Sequence, residues 1–197
     1  MAIEKDPTTS FYSENAVTYA ASSAPSTRRL DSFLSKLTSG SAILELGCGS
    51  GRDSAVMIAR GFDVTPTDGT PEMAEEATRH LGRPVAVLRF GEIDAVSAFD
   101  GIWANACLLH APRAELGGIL GRIHKALRPG GVFYASFKAG EAEGYDGLGR
   151  YYNYPSKAWL SAAYGAFAWT SVDIDEVHGS GYDKKPTDWL HVLALKA

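Results

Sequence analysis

The sequence predicts an α/β protein: a doubly wound, mostly parallel sheet with helices on both faces, stacked in three α/β/α layers. Three observations lead there. Short apolar runs alternate with longer amphipathic segments along the chain. A strand-like run, Ile43-Leu44-Glu45-Leu46, passes into glycines at every second position, Gly47, Gly49 and Gly51, and then into a helix-like segment. A length of 197 residues, 45% hydrophobic and 11% aromatic, fills one compact core, so residues 1–197 are expected as a single domain.

Residues 1–40 are expected to add one or two helices ahead of the sheet. Ile43–Leu46 is the first strand, and a helix follows over about Arg52–Arg60. A second strand over Gly61–Thr67 ends at Asp68; Pro66 has no N–H for the ladder and predicts a bulge or an edge there. Pro71 suits the first turn of a helix over Glu72–His80. Pro84–Phe90 reads as the third strand and Phe99–Asn105 as the fourth. Arg113–Leu127 is a helix stopped by Arg128-Pro129-Gly130-Gly131, with Val132–Phe137 as the fifth strand. Gly140–Gly149, glycine-rich and charged, is expected as a mobile loop. Ser156–Tyr164 predicts a helix, and Ala168–Val177 with Trp189–Lys196 two last strands, which makes seven.

Composition removes several functions. A net charge of −4 and a pI near 5.7 oppose a nucleic-acid partner, whose binding rests on clustered Lys and Arg. Met1–Pro7 lacks the apolar core of a signal peptide, and no run reaches the roughly 18 apolar residues that span a bilayer. A cytoplasmic protein with no membrane partner is expected. Cys48 and Cys107 are too few for a disulfide framework and are not spaced as a metal pair, so no metal is expected and both read as small buried fillers.

The glycine turn carries the chemistry. Glycine tolerates positive φ and lets a ligand approach the main chain, while the amides of the helix beginning near Arg52 point back at the turn. That is a nucleotide-type pocket; a tight strand-to-helix connection without a ligand is the alternative. A dinucleotide pattern needs G-x-G-x-x-G/A, and its last position falls on Arg52 counted from Gly47 or on Ser54 counted from Gly49. No Walker loop is present in the sequence.

Glu45-Leu46-Gly47-Cys48-Gly49-Ser50-Gly51 does resemble the first motif of class I S-adenosylmethionine-dependent methyltransferases, (Asp/Glu)-x-Gly-x-Gly-x-Gly. The resemblance continues through Asp68-Gly69-Thr70-Pro71-Glu72-Met73, Phe90-Gly91-Glu92-Ile93, Phe99–Asn105 and Leu127–Phe133, so it covers about residues 41–137. Its flavour is that of small bacterial enzymes of the tellurite-resistance type. It implies a Rossmann-like sheet with the last strand antiparallel, an N-terminal helical lid over 1–40, a cofactor-binding core over 41–137 and a substrate-side segment with the final strands over 138–197. The implied cofactor is S-adenosylmethionine, leaving as S-adenosylhomocysteine, and the implied reaction is in-line methyl transfer to a small-molecule acceptor.

The same resemblance assigns residues. Gly47, Cys48, Gly49 and Gly51 form the bed of the methionine part, and Glu45 faces its ammonium, directly or through water. Asp68 accepts from both ribose hydroxyls, with Gly69 and Met73 beside it; an ordinary turn-forming Asp is the alternative. Gly91, Glu92 and Ile93 flank the adenine, and Asn105 with Ala106 faces the sulfonium. Tyr12 and Tyr19, seven apart and so on one helix face, either fold over the cofactor or pack as core. His110 is a general base or a positional residue. In Arg150-Tyr151-Tyr152-Asn153-Tyr154-Pro155, Tyr151, Tyr152 and Tyr154 either clamp a small polar substrate, with Tyr152 taking a catalytic part, or pack a lid. Gly179–Asp183 and Trp189-Leu190-His191 are weaker candidates for the opposite wall.

Two rivals stand. An NAD(P)-dependent oxidoreductase rests on Gly49-x-Gly51-x-x-Ser54 and Asp68, with Tyr134 and Lys138 at Tyr-x-x-x-Lys spacing in what reads as a strand. A non-catalytic cofactor-binding module keeps the pocket without turnover. The sequence leaves the oligomeric state open.

Overall fold

The computed structural model describes residues 6–22, 27–182 and 184–197. Sequence expectations resting on residues 1–5 or on Asp183 lie outside it. Helices α1 (Pro7–Ser22) and α2 (Thr27–Leu34) precede strand β1 (Ala42–Glu45). There follow α3 (Arg52–Ala59), β2 (Asp63–Asp68), α4 (Pro71–Leu81), β3 (Ala86–Val87), β4 (Phe99–Ala104), α5 (Arg113–Ala126) and β5 (Leu127–Lys138). The remainder is a hairpin of β6 (Gly144–Tyr145) and β7 (Tyr151–Tyr152), then α6 (Lys157–Tyr164), β8 (Trp169–Ser180) and β9 (Pro186–Lys196).

Seven strands form one sheet in the order β3-β2-β1-β4-β5-β9-β8. β1 to β5 are mutually parallel, and β9 runs antiparallel to both β5 and β8. Consecutive residues of a strand face opposite sides, and each face has its own core. Ile102 and Phe133 pack with Leu116, Leu120 and Ile123 of α5 and Leu160 of α6. Their neighbours Trp103 and Tyr134 pack with Leu30 and Phe33 of α2 and Met57 of α3. The order of strands reverses at β1, so the carboxyl ends of β1 and β4 open the crevice in which such sheets bind ligands.

Several expectations need correction. β2 is neither bulged nor an edge: Pro66 lies opposite Glu45 in an unbroken register with β1, and β3 pairs beyond it. Thr67 accepts from Cys48 on the β1 side and Asp68 from Leu88 on the β3 side, so the N–H that Pro66 lacks would point toward β3, whose pairing begins only at Thr67. The third strand shrinks to Ala86–Val87, and Phe90–Glu92 becomes a 3-10 turn closed by the Glu92 carboxylate on the Arg89 N–H. Arg128–Gly131 does not precede β5 but bulges within it. Phe99 pairs with Leu127 and Gly101 with Val132, and Gly130 turns at φ 75°.

Gly140–Gly149 is not a plain loop, because it supplies one arm of the β6–β7 hairpin. The Asp146 carboxylate gathers the hairpin by accepting from the Leu148 and Arg150 amides and from the Arg150 guanidinium. The last two strands are longer than expected. β8 forms the outer edge with Asp173, Asp175 and Glu176 exposed along it.

Candidate cofactor and acceptor site

A cavity of about 410 Å³ opens at the carboxyl ends of β1, β2 and β4. Its floor is the turn after β1, where Gly47, Gly49 and Gly51 all have positive φ. The three are not equivalent. A Cβ on Gly47 would stand 2.5 Å from the Cys107 Cβ, so that position lets the turn nest against the segment after β4. A Cβ on Gly49 would meet only the tips of Met73 and Tyr19, at 3.8 and 4.0 Å, both of them cavity residues. Gly51 does not line the cavity; a Cβ there would press on Leu81 at 2.9 Å, so Gly51 lets α3 approach α4. Cys48 lines the cavity as a buried free thiol.

Three buried carboxylates surround this floor. Asp68, at the end of β2, accepts from the Gly49 amide at 3.0 Å and from the Thr70 amide at 2.9 Å, one bond to each oxygen. Each oxygen keeps a further lone pair for a ligand hydroxyl. Burial pushes its pKa up to about 6 against the pull of those amides. Glu45, pushed well above the usual range by burial and by Asp53 beside it, accepts the Ser54 hydroxyl. Asp53, in the first turn of α3, accepts the Trp103 indole N–H at 2.9 Å. Arg52 precedes it and lines the same cavity. One of its terminal nitrogens donates to the Ala20 carbonyl at 3.0 Å, while its buried Nε has no partner within the protein.

After β4 the chain turns sharply. Ala106 adopts φ 52°, a region costly for a residue with a Cβ, and its amide donates to Ser136 Oγ at 2.8 Å. Asn105 accepts from Ser136 at 2.9 Å and reaches toward Asp53 at 3.4 Å. His110 follows, with Nδ1 2.6 Å from the Tyr151 carbonyl and Nε2 2.9 Å from the Tyr12 hydroxyl. Burial lowers its pKa to about 4, so the ring is neutral. A carbonyl only accepts, so Nδ1 carries the proton and Nε2 accepts from Tyr12.

Opposite the glycine turn, Gly69, Met73 and Gly91 lie in the wall as the sequence placed them. Glu92 and Ile93 do not: Glu92 turns back to cap Arg89, and Ile93 is buried in the core beneath α5. Arg89 and Phe90 take their place in the wall. Tyr12 and Tyr19 roof the cavity from α1, edge to face with centroids 5.2 Å apart. The helix is tied down where the Tyr151 amide donates to Thr8 Oγ1 at 2.8 Å.

The tyrosines of β7 stand behind this site rather than in its wall. Tyr152 is buried between the His110 ring, Lys138 over its face at 4.2 Å, and Arg150. Tyr154 stacks on Tyr152, and Tyr151 turns outward to Glu143. A strand residue and its neighbour face opposite ways, so the run could not bring all three tyrosines to one ligand. Tyr182, near the tip of the β8–β9 hairpin, meets Tyr19 at 5.0 Å and braces the roof from outside. Trp189 donates to Ser180 within that hairpin, and His191 bonds to Tyr134; neither lines the cavity.

The donor set discriminates between nucleotide-like groups. Three carboxylates around one turn repel a pyrophosphate, but they suit a ribose diol and a sulfonium amino acid, whose ammonium they attract. Arg52, with its orphaned Nε, is a cation whose chemistry would match such an amino acid's carboxylate. Tyr134 and Lys138 share strand β5, four residues apart, which separates their side chains too far for a catalytic pair.

Residues 43–131 match the family model of a methyltransferase domain. The fold is that of class I S-adenosylmethionine-dependent methyltransferases. A solved structure, 1,6-didemethyltoxoflavin-N1-methyltransferase of Burkholderia thailandensis with S-adenosylhomocysteine and 1,6-didemethyltoxoflavin bound, superposes with a TM-score of 0.74 at 26% identity. That likeness covers 94% of this chain and 84% of the other. A carboxy-S-adenosyl-L-methionine synthase of Photorhabdus laumondii is 31% identical over 113 residues, covering 52% of this chain and 44% of that protein. An uncharacterised methyltransferase of Synechocystis is 27% identical over 103 residues, covering 49% and 47%. The chain thus spans about half the length of these two curated relatives.

Several residues of this methyltransferase fold were absent from the sequence reading of the site: Arg52, Asp53, Arg89, Cys107 and Ser136. The Arg-Asp pair opening α3 carried a usable signal, because a cation and an anion beside an anion-favouring helix start are suited to a zwitterion. Ser136, buried in β5, carried none.

Proposed function

We propose that the chain transfers a methyl group from S-adenosylmethionine to a small-molecule acceptor. The observation that carries this reading is the Asp68 carboxylate, held by the Gly49 and Thr70 amides in a cavity that Arg52 and Asp53 also line. In this reading Asp68 takes the ribose hydroxyls, Phe90 and Gly91 the adenine, and Gly47, Cys48 and Gly49 the bed of the amino-acid part. Arg52 holds its carboxylate, while Asp53 and Glu45 face its ammonium. The bound cofactor supplies a methyl group on a sulfonium, open to in-line attack by a nucleophile.

The protein's share is alignment and exclusion of water, by Tyr12 and Tyr19 above and Asn105, Ala106 and His110 beside the acceptor. Holding reactants in a near-attack arrangement removes on the order of 7 to 11 kcal/mol from a barrier in favourable systems. A neutral His110 whose Nε2 is already engaged by Tyr12 is a poor proton acceptor near neutral pH. The acceptor therefore brings its own lone pair, as an uncharged nitrogen does; a nitrogen acceptor, as the name of the Burkholderia N1-methyltransferase gives for 1,6-didemethyltoxoflavin, is the chemistry we favour.

The proposal extends to the single domain over 1–197, with lid (1–40), core (41–137) and substrate-side segment (138–197), and to a place among small bacterial enzymes of the tellurite-resistance type. It also includes a cytoplasmic setting without a nucleic-acid partner, supported by the net charge of −4. Among the described residues no helix is long and apolar enough to cross a membrane.

A comparison of melting temperatures tests the reading. S-adenosylmethionine and S-adenosylhomocysteine at a hundred times Kd stabilise by about 2.7 kcal/mol, and NAD(H) does nothing. Stabilisation by NAD(H) alone overturns it. A methylated product from a metabolite pool then separates an enzyme from a binding module.

A further inference from the structure

Asp53 is the centre of a directional chain of hydrogen bonds, two members of which, Ser136 and Trp103, lie outside the cavity. The Ala106 amide donates to Ser136 Oγ at 2.8 Å, so the Ser136 proton is directed to Asn105 Oδ1 at 2.9 Å. That bond fixes the Asn105 amide with Nδ2 toward Asp53 Oδ2, at 3.4 Å. From the other side Trp103 Nε1 donates to the same oxygen at 2.9 Å. Ser136 is 1% exposed and Trp103 fully buried, and neither lines the cavity. Trp103 has little freedom to move, since its ring is stacked on Tyr134 at 4.0 Å and tilted against Phe33 at 5.2 Å.

Resting on the function proposed above, we propose that Ser136 and Trp103 are positioning residues for the amino-acid end of the cofactor. Ser136 acts through Asn105, and Trp103 acts directly on the Asp53 carboxylate. Both donors converge on one carboxylate oxygen, which orients the group. The adenosine end depends on different elements, the end of β2 and the turn after β3, where Asp68 is held by the Gly49 and Thr70 amides. The inference therefore predicts a division of the binding energy along the ligand, which a general loss of packing would not produce.

The experiment is calorimetric titration of the whole protein with two probes. S-adenosylhomocysteine carries the amino-acid end, and 5′-methylthioadenosine has the same thioether nucleoside without it. The variants are Ser136→Ala, close in volume to the native residue, and Trp103→Phe, which keeps an aromatic ring but not the N–H. Trp103→Phe is expected to weaken S-adenosylhomocysteine about tenfold, as for loss of a hydrogen bond to a charged group, and Ser136→Ala about fivefold, as for a neutral one; both leave methylthioadenosine within about twofold. Equal losses for the two probes, or no loss for either, overturn the positioning role. If one variant fails to fold, the other decides by the same ratio. Failure of the unaltered protein to bind either probe overturns the functional reading itself, and the inference with it.

Discussion

The Tyr12 hydroxyl donates to His110 Nε2 at 2.9 Å, joining the roof helix to the turn after β4. The bond closes the cavity and also occupies the one free lone pair of the imidazole. Tyr12→Phe leaves that buried nitrogen without a partner, at a cost of about 1 to 3 kcal/mol. Urea unfolding at pH 7 measures the loss, and stability equal to the native protein would show the bond to be idle.

Asp68 and His110 oppose each other in pH dependence. His110 has its pKa lowered to about 4 by burial, so the unfolded chain binds its proton first and stability falls as pH drops from about 6.5 to 4. Asp68 is raised to about 6, so its folded form holds a proton that the unfolded form gives up, and its contribution is lost as pH rises from about 3.8 to 6. Asp68→Asn removes the second effect. Between pH 4 and 6 the variant's stability should rise with pH more steeply than the native protein's, by up to about 1.4 kcal/mol per unit. Parallel profiles from urea titrations would contradict the shift.

The same carboxylate makes cofactor binding pH-dependent, since only its ionised form is the strong acceptor for two ribose hydroxyls. Affinity for S-adenosylhomocysteine should hold steady above pH 6 and fall by up to tenfold per unit below it. In Asp68→Asn the affinity is low throughout and this inflection is absent.

Gly47 and Gly49 should fail in different ways when changed to Ala. Gly47→Ala drives a methyl into Cys107 in a left-handed backbone region, so the protein itself loses stability, by about 2 kcal/mol or more. Gly49→Ala meets no hard contact and costs only the backbone term of about 1 to 2 kcal/mol, while its methyl stands in the ligand's bed and removes binding. A β-branched residue at Gly49 abolishes binding altogether. Melting curves with and without S-adenosylhomocysteine separate the two failures.

Arg150, 1% exposed, depends on Asp146 for its counter-charge, with a shortest contact of 2.7 Å. Asp146→Ala strands the guanidinium against Phe11, Tyr152 and Tyr182 and should destabilise by about 3 kcal/mol. Limited proteolysis should then cut the β6–β7 hairpin first. Cleavage elsewhere would show that the pair does not hold that hairpin.

The order of elements was legible because apolar periodicity and glycine turns are local signals. What escaped depended on partners far along the chain. Pro66 reads as a strand breaker until one knows how short its neighbour β3 is. Arg128–Gly131 reads as a connection because nothing local says that Leu127 already pairs with Phe99. In the site, Gly47, Gly49 and Asp68 were visible by type and spacing. Glu92 was misplaced because its carboxylate had a nearer use, capping its own turn. The tyrosines at 151, 152 and 154 drew attention by their number, yet strand alternation turns Tyr151 outward to Glu143, and Tyr152 sits with two buried cations behind His110.

β8 leaves a twelve-residue strand edge open along the sheet. Unpaired edges invite recruitment of another chain. Asp175 is paired with Arg29 at 2.8 Å, but the exposed Asp173 and Glu176 place like charge along that border, so a second copy approaching strand to strand meets electrostatic repulsion. Strand-to-strand recruitment is thereby opposed at the place where the architecture is most open to fibril-like stacking, and neutralising those acids would weaken the guard.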